Sequence, residues 1–442
     1  MKPEEEKQII KQAGLEDEIF RLKNVQSFYP GTKIKNGVDT GEPCMIIGVT
    51  KKEKLENIKP SDLIPSVLNN NIKTDIVEEE EVLRYGSCGA SNVLGEGVAP
   101  SGACSGHDYN SDSSPFSNSQ GGVSIGPNDP RRSWSGTLGL IAKDKTDSKL
   151  VALSNNHVLG DYVDTNYSSL GCYLDNGELS DYFKVDSSLR PVVENIIRSP
   201  SVSDSIGSNF VNLGKVKRSI PTKWGKVELP INTVDAGIVE LGSNIQPMTN
   251  LAHFSSEALQ VSHARVGARV FKSGRTTGVT GVSEDISNPT RIVSTNYTVA
   301  ISSGCGDGLK TKFTDCIKFN WNSSLESNWE FFSYAGDSGS AIMMEDGGEK
   351  KLVGLLFAGT YFSSSAHVPN PPYGTGIACK IQNVFDSLNL EPWNGNVVCD
   401  SDSPFVRVNG RCYENTLIKK EKSLVSHTES LSFSDIDSCE NI

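Results

Sequence analysis

The chain has 442 residues, which a length prior places at about three domains, and its 36% apolar and 22% charged content leaves most of it able to fold. A net charge of −12 without any dense Lys/Arg patch excludes a phosphate-backbone partner, and Lys51 to Lys54 and Lys419 to Lys422 are short runs that read as solvated faces. No segment approaches the roughly 20 apolar residues needed to span a bilayer, so no membrane partner is expected.

The opening MKPEEEKQIIKQAG has no apolar core of signal-peptide length and no small-residue cleavage site, which sets the expectation of a cytoplasmic protein. From Glu4 to Asn24, Ile9, Ile10, Leu15, Ile19, Phe20 and Leu22 recur among charges as in an amphipathic helix bent near Gly14. YPGTKIKNG then reads as a strand with a turn at Asn36-Gly37, PCMIIGV as a buried strand, and NIKTDIVEEEEV as an alternating strand. Residues 1–85 thus form an expected small α+β N-terminal domain, with Glu78 to Glu81 as a solvated strand end. Ser, Gly, Asn and Asp dominate residues 86–122, the composition of a linker.

From Val123 to about residue 390 the chain becomes a series of short apolar runs with turn residues between them, among them GTLGLIA, DAGIVEL, SAIMM and KLVGLLFAG. Such spacing predicts an all-β barrel or sandwich. IQNVFDSLNL closes this region as a short amphipathic helix, and residues 391–442 form a polar tail expected to be partly disordered. The ten cysteines include no CxxC pair and no Cys/His spacing suited to zinc, so neither a metal nor a cofactor is expected. Cys305 with Cys316, or Cys399 with Cys412, would close short loops in an oxidising compartment; in a cytosolic protein they are expected to be buried thiols.

Three segments carry residues that can do chemistry. In YAGDSGSAIMM, Gly336 and Gly339 flank Asp337-Ser338, so the serine sits on a tight turn whose backbone N–H groups can face a developing oxyanion. In LVALSNNHVLG, His157 lies just past an alternating strand, where its ring can reach sideways. In TVDAGIVEL, Asp235 stands at the start of an apolar strand, where a buried carboxylate needs a partner. Each alone has a plain structural explanation, respectively a turn, a packed histidine and a turn aspartate. All three explanations would have to hold together.

SNNHV, VDAGIVEL, KSGRTTGVTG and GDSGSA, in that order, resemble bacterial trypsin-like (chymotrypsin-fold) serine peptidases. The histidine block resembles the HtrA-type segment, and KSGRTTG is similar to the start of the second barrel in α-lytic-type proteases. The layout over roughly residues 25 to 390, with PGTKIKNG, PCMIIGV, KPSDLIP and TDIVE ahead of the protease region, also resembles a group similar to the plant NARROW LEAF 1 protein. The resemblance implies a mainly β fold of two six-stranded antiparallel β-barrels over residues 123–390. It implies a serine endopeptidase acting on protein or peptide substrates, with Ser338 as nucleophile, His157 as general base and Asp235 as the group that orients it. The backbone N–H groups of Gly336 and Ser338 would form the oxyanion hole. By alignment the specificity pocket would involve Phe332, Ala335, Phe357 and Gly359. Phe332 stands where trypsin-like enzymes carry an acid, so an apolar or small side chain is the expected preference, unless Phe332 is simple core packing.

The chain departs from the pattern in several places. The long stretch from Asp161 to Trp224 is expected to contain an inserted loop beside the site. Phe271 and Gly281 replace the cysteines that bracket the RTTG hairpin in α-lytic-type proteases, Ser340 follows the nucleophile's glycine, and no IVGG-like start precedes the first barrel. A catalytically silent scaffold on a protease fold is the alternative function, a homo-oligomer is compatible with either, and the linker leaves room for control by the N-terminal domain.

Overall fold

The structure is a computed structural model. It describes residues 7, 10–11, 14–35, 38–68, 71–84, 118–129, 135–164, 174–175, 178–202, 204, 210–226, 228–251, 260–281, 289–303, 308–322, 332–360, 373–393, 405–408 and 411–414. Two compact units partition the chain, Met1–Pro392 and Trp393–Ile442. In the second, residues 405–408 and 411–414 form a hairpin, Phe405–Val408 with Arg411–Glu414; of the tail expected from residue 391, Glu391 and Pro392 instead pair with Leu140–Asp144, and residues 394–404, 409–410 and 415–442 lie outside the described residues.

The first unit is mainly β, an arrangement of two large sheets with two further strand pairs, consistent with the two-barrel chymotrypsin-like fold. The eight-stranded sheet runs, in spatial order, through Leu390–Pro392, Leu140–Asp144, Leu150–Ser154, Gly237–Leu241, Val211–Ser219, Ile196–Ser199, Ser124–Pro127 and Gly136–Thr137. The other begins at Gly278–Thr280 and Val270–Gly274. It continues through Ala341–Asp346, Glu349–Thr360, Tyr373–Lys380, Lys310–Asn322 and Arg291–Ser302. Val25–Lys35 then joins Arg291–Ser302 through Ser27↔Val299 and Phe28↔Thr298, so the N-terminal strands extend this second sheet.

The runs form strands because their inward residues are aliphatic or aromatic and meet across the two sheets. Ala142, Val151, Leu153 and Ile238 of one sheet share a core with Phe313, Met343, Leu355 and Phe357 of the other. Complete burial of one such side chain stabilises by about 1.5–3 kcal/mol. The helix Ile381–Leu388 packs Ile381, Val384, Phe385 and Leu388 inward, the i, i+3, i+4, i+7 face expected for it, and ends on Asn389 in the left-handed region (φ 54°). No helix among the described residues is long and apolar enough to cross a membrane.

Some expectations change. The stretch from Asp161 to Trp224 supplies two barrel strands, Ile196–Ser199 and Val211–Ser219, as well as loops. Leu213 and Val216 point inward, while the exposed Lys215 reaches Glu194 and the largely covered Lys217 pairs with Asp144 and Asp147, and these lysines are what made the run read as polar. Residues 86–117 of the expected linker lie outside the described residues, and Asn118–Gly121 is a strand paired in parallel with Gln246–Leu251. Within the run Glu78 to Glu81, Glu79 is not solvated. It accepts from Ser27 Oγ (2.6 Å) and Tyr29 Oη (3.0 Å) and is paired with Lys318. Burial pushes its carboxyl pKa up, but Lys318 and the hydroxyls outweigh that and leave it below the ordinary value. Cys316 is a buried free thiol, pushed up to about 12 by burial, while Cys305 and Cys399 lie outside the described residues.

Candidate active site

Leu150–Ser154 and Gly237–Leu241 are antiparallel neighbours, with Ser154 opposite Gly237 and Leu153 opposite Ile238. The residues just after the first strand and just before the second therefore leave the sheet at the same end. One carries His157, on the single turn Asn156–Leu159, and the other carries Asp235. His157 Nδ1 lies 2.7 Å from Asp235 Oδ2, and the His157 backbone N–H donates to Oδ1 at 3.2 Å. A carboxylate only accepts, so Nδ1 carries the proton and Nε2 is the acceptor nitrogen. Among the described residues Nε2, a buried atom, has no hydrogen-bond partner.

Asp235 is wholly buried and held from three sides. Its carbonyl accepts from Asn155 Nδ2 (2.7 Å), its N–H donates to Cys379 Sγ (3.2 Å), and its carboxylate holds the imidazole. Burial pushes its pKa up; the His157 ring, the His157 N–H and the charge of Arg84 more than offset this and hold it below the usual carboxylate value.

Ser338 stands on a turn between residues in the left-handed region, Gly336 (φ 94°) and Gly339 (φ 93°). A Cβ on Gly336 would collide with Thr276 Oγ1 and Arg275 Nη1, so both conformation and space demand glycine there. The turn is tied to the first sheet by Thr137, whose N–H donates to Ser338 O (2.7 Å) and whose Oγ1 donates to Gly336 O (2.9 Å).

The N–H groups of Gly336 and Ser338 belong to peptide planes whose carbonyls are those of Ala335 and Asp337. Thr276 Oγ1 donates to Ala335 O and Ser340 Oγ donates to Asp337 O, each at 2.6 Å. In a trans peptide the N–H points away from the carbonyl, so these hydroxyls fix the direction of both donors from behind. Ser340, a departure from the glycine of the resembled pattern, thus has a structural task.

The carboxylate of Asp337 turns away from Ser338. It accepts from the N–H groups of Thr276 (2.8 Å), Thr277 (3.1 Å) and Tyr334 (2.9 Å) and from Thr277 Oγ1 (2.7 Å). Lys272 Nζ lies 3.2 Å away, and both side chains of this ion pair are fully buried. Burial lowers the Lys272 pKa, with Asp337 opposing the shift. KSGRTTG is therefore the socket for the residue before the serine, and no free N-terminus is needed to hold it. Arg275 of the same segment pairs with Asp204, which also accepts from Ser201 Oγ (2.8 Å) and ties the long His-to-Asp stretch to this socket.

Phe332 is buried against Phe319 (ring centroids 5.1 Å) and Trp321 (6.0 Å). Phe357 is fully buried against Phe313 (4.7 Å), and Ala335 is buried beside the serine turn. Gly359 lies in Glu349–Thr360, opposite Gly376 on one side and Leu83 on the other. Thr137 and Arg84 had no sequence signal as site residues, and Lys272 and Thr276 were marked only as part of KSGRTTG, without a role. The six polar or glycine residues that follow Lys272, Ser273 to Gly278, could have drawn attention to Lys272 and Thr276 as more than a turn.

No protein-family model matches the chain, and no curated protein matches it. Among solved structures it is similar to the Nocardiopsis protease NAPase, at 16% identity over 62% of this chain and 98% of that one, with a TM-score of 0.35. It is similar to Thermobifida fusca Protease A at 14% identity over 63% and 99% of the two chains, TM-score 0.35. It is also similar to the Cellulomonas bogoriensis chymotrypsin at 13% identity over 63% and 99%, TM-score 0.33.

Proposed function

We propose that the protein is a serine endopeptidase in which Ser338 Oγ attacks the scissile carbonyl and His157 Nε2 takes its proton, then passes it to the leaving amine. The observation that carries this reading is the two-point hold of Asp235 on His157, which fixes the tautomer and leaves the buried Nε2 as an acceptor without a partner. Asp235 stays ionised and stabilises the imidazolium. The N–H groups of Gly336 and Ser338, fixed from behind by Thr276 and Ser340, would hold the oxyanion, each such donor being worth about 2.7–4 kcal/mol of barrier. Water then resolves the acyl-enzyme by the same proton relay in reverse. We also place the chain with the NARROW LEAF 1-like group, on the layout over roughly residues 25 to 390 with its N-terminal motifs.

One observation favours a catalytically silent scaffold: Ser338 is fully buried and His157 is only 8% exposed. A fluorophosphonate probe separates the two. Wild type should label and Ser338→Ala should not, with the same circular dichroism spectrum and melting temperature; digestion of a peptide library by the two proteins side by side then reads specificity. Labelling that persists in Ser338→Ala overturns the assignment, and a wild type that never labels favours the scaffold.

A further inference from the structure

Glu349–Thr360 passes directly beside the serine turn: Gly339 N–H donates to Leu356 O (2.8 Å) and Leu356 N–H donates to Ser340 O (2.9 Å). Beyond Leu355, where pairing with Ala341–Asp346 ends, the edge of this strand would be open to an extended peptide. Val82–Arg84 fills it. The pairing is antiparallel, Val82 opposite Thr360, Leu83 opposite Gly359 and Arg84 opposite Ala358, so the segment runs toward Leu356 and the serine. Its last residue delivers a guanidinium to Asp161, four residues past His157.

Arg84 Nη1 donates to Asp161 Oδ1 (2.7 Å) and Nη2 to Oδ2 (3.4 Å), a two-pronged contact, while its Cζ lies 4.7 Å from the centre of the Trp224 ring. Both receiving groups are built in. Asp161 has a left-handed backbone (φ 51°) and ends the turn that carries His157, its N–H donating to Asn156 O (2.9 Å). Asn156 Nδ2 also reaches Thr222 Oγ1 (3.2 Å), two residues before Trp224, and Trp224 itself is buried with Val163 and Leu179.

We propose that Asp161 and the Trp224 ring form an arginine subsite beside His157, occupied here by the chain's own Arg84, and that the peptide substrate brings an arginine to it in the same register along Ala358–Thr360. This rests on the endopeptidase reading for its substrate, but not for its measurement. A substrate displaces Val82–Arg84 from the edge, so the segment is both a template of what the cleft recognises and a competitor for it.

The test uses the full-length protein carrying Ser338→Ala and Arg84→Ala, which cannot cleave and no longer places a guanidinium on Asp161 and Trp224; the Val82–Leu83 backbone still competes for the edge, equally for both peptides. Isothermal titration compares two acetylated, amidated peptides, Glu-Val-Leu-Arg and Glu-Val-Leu-Ala. The arginine peptide is expected to bind about tenfold or more tightly, the scale of a charge pair taken out of water. Adding Asp161→Asn should shrink that preference to below about threefold, and restoring Arg84 should weaken binding of the arginine peptide about tenfold. Equal affinity for the two peptides, or a preference unchanged by Asp161→Asn, overturns the proposal. If Arg84→Ala melts early, Arg84→Lys, which keeps a charge but loses the fork, must show the same order of peptides. A protein that binds in this order yet never labels at Ser338 refutes the endopeptidase and keeps the subsite; one that labels but shows no preference does the reverse.

Discussion

Replacing Lys272 by methionine removes a charge while keeping the length of the side chain, and it isolates the part of the site that holds the residue before Ser338. Lys272 and Asp337 are both fully buried, so solvent cannot take over when one partner goes. Breaking a buried ion pair costs about 3–5 kcal/mol, because it strands an uncompensated charge. Asp337 keeps its four other donors, three peptide N–H groups and the Thr277 hydroxyl, which places Lys272→Met near the low end, about 3 kcal/mol. The cost falls on the turn that presents Ser338, so the fluorophosphonate labelling rate should fall with stability. Urea unfolding followed by tryptophan fluorescence gives the first quantity and gel-based labelling the second. Lys149→Met is the internal control: its pair with Glu240 is 56% and 40% exposed, and its loss should cost under about 1 kcal/mol. If Lys272→Met unfolds within about 1 kcal/mol of wild type and labels at the wild-type rate, the buried pair does not hold the serine turn.

Asp235→Asn should leave the fold intact but lower peptide turnover by about 10⁴, since the amide can present a donor to Nδ1 and stabilise the wrong tautomer; a drop of less than about tenfold would mean His157 is not oriented by this residue. Thr276→Val should slow labelling about tenfold without changing peptide affinity, because it frees the Ala335–Gly336 peptide plane from behind, and an unchanged rate would remove Thr276 from the oxyanion geometry. Asp235 and Glu79 both have folded pKa values below the ordinary carboxylate range, so the stability they contribute is fully present above the unfolded values near about 4 and is lost as pH falls through the lower folded values. The melting temperature should therefore hold from neutral pH to about 5 and drop below about 4, and the drop should be smaller in Glu79→Gln, measured relative to its own neutral value.

His157, Asp235 and Ser338 were legible because each sits in a short segment whose chemistry is local: glycines around a serine, a histidine after an alternating strand, an acid before an apolar one. The meeting of His157 with Asp235 has a simple cause, the pairing of Leu150–Ser154 with Gly237–Leu241, and both runs were apolar enough to mark as strands. Val211–Ser219 was harder, because a strand with one face in water alternates lysine with valine and looks like a loop when its inward residues are few. Glu79 was misread for a different reason. Its counter-charge is Lys318, and nothing near position 79 announces a partner from a strand so far along the chain. Val82–Arg84 is three residues long, below any period that a pattern can reveal, and it exists as a strand only because Ala358–Thr360 supplies its hydrogen bonds.

These two hidden features act on one segment. Upstream, Glu79 is clamped by Lys318, Ser27, Tyr29 and Tyr297, and Gln26 Nε2 donates to the carbonyls of Glu79 (3.1 Å) and Glu80 (2.6 Å). Downstream, Arg84 is clamped by Asp161. Val82 between them is buried in the core shared by the two sheets. Removing residues 1–84 to ask whether the N-terminal region restrains access to Ser338 would therefore do three things at once. It would uncover the edge of Arg291–Ser302, strand the buried charge of Lys318 and open the cleft. Loss of activity after such a deletion would report the first two, and gain would be masked by them. Side-chain substitutions at Arg84 and Asp161 leave the Glu79 clamp and the shared sheet in place, so a change in what reaches Ser338 can be separated from damage to the scaffold that positions it.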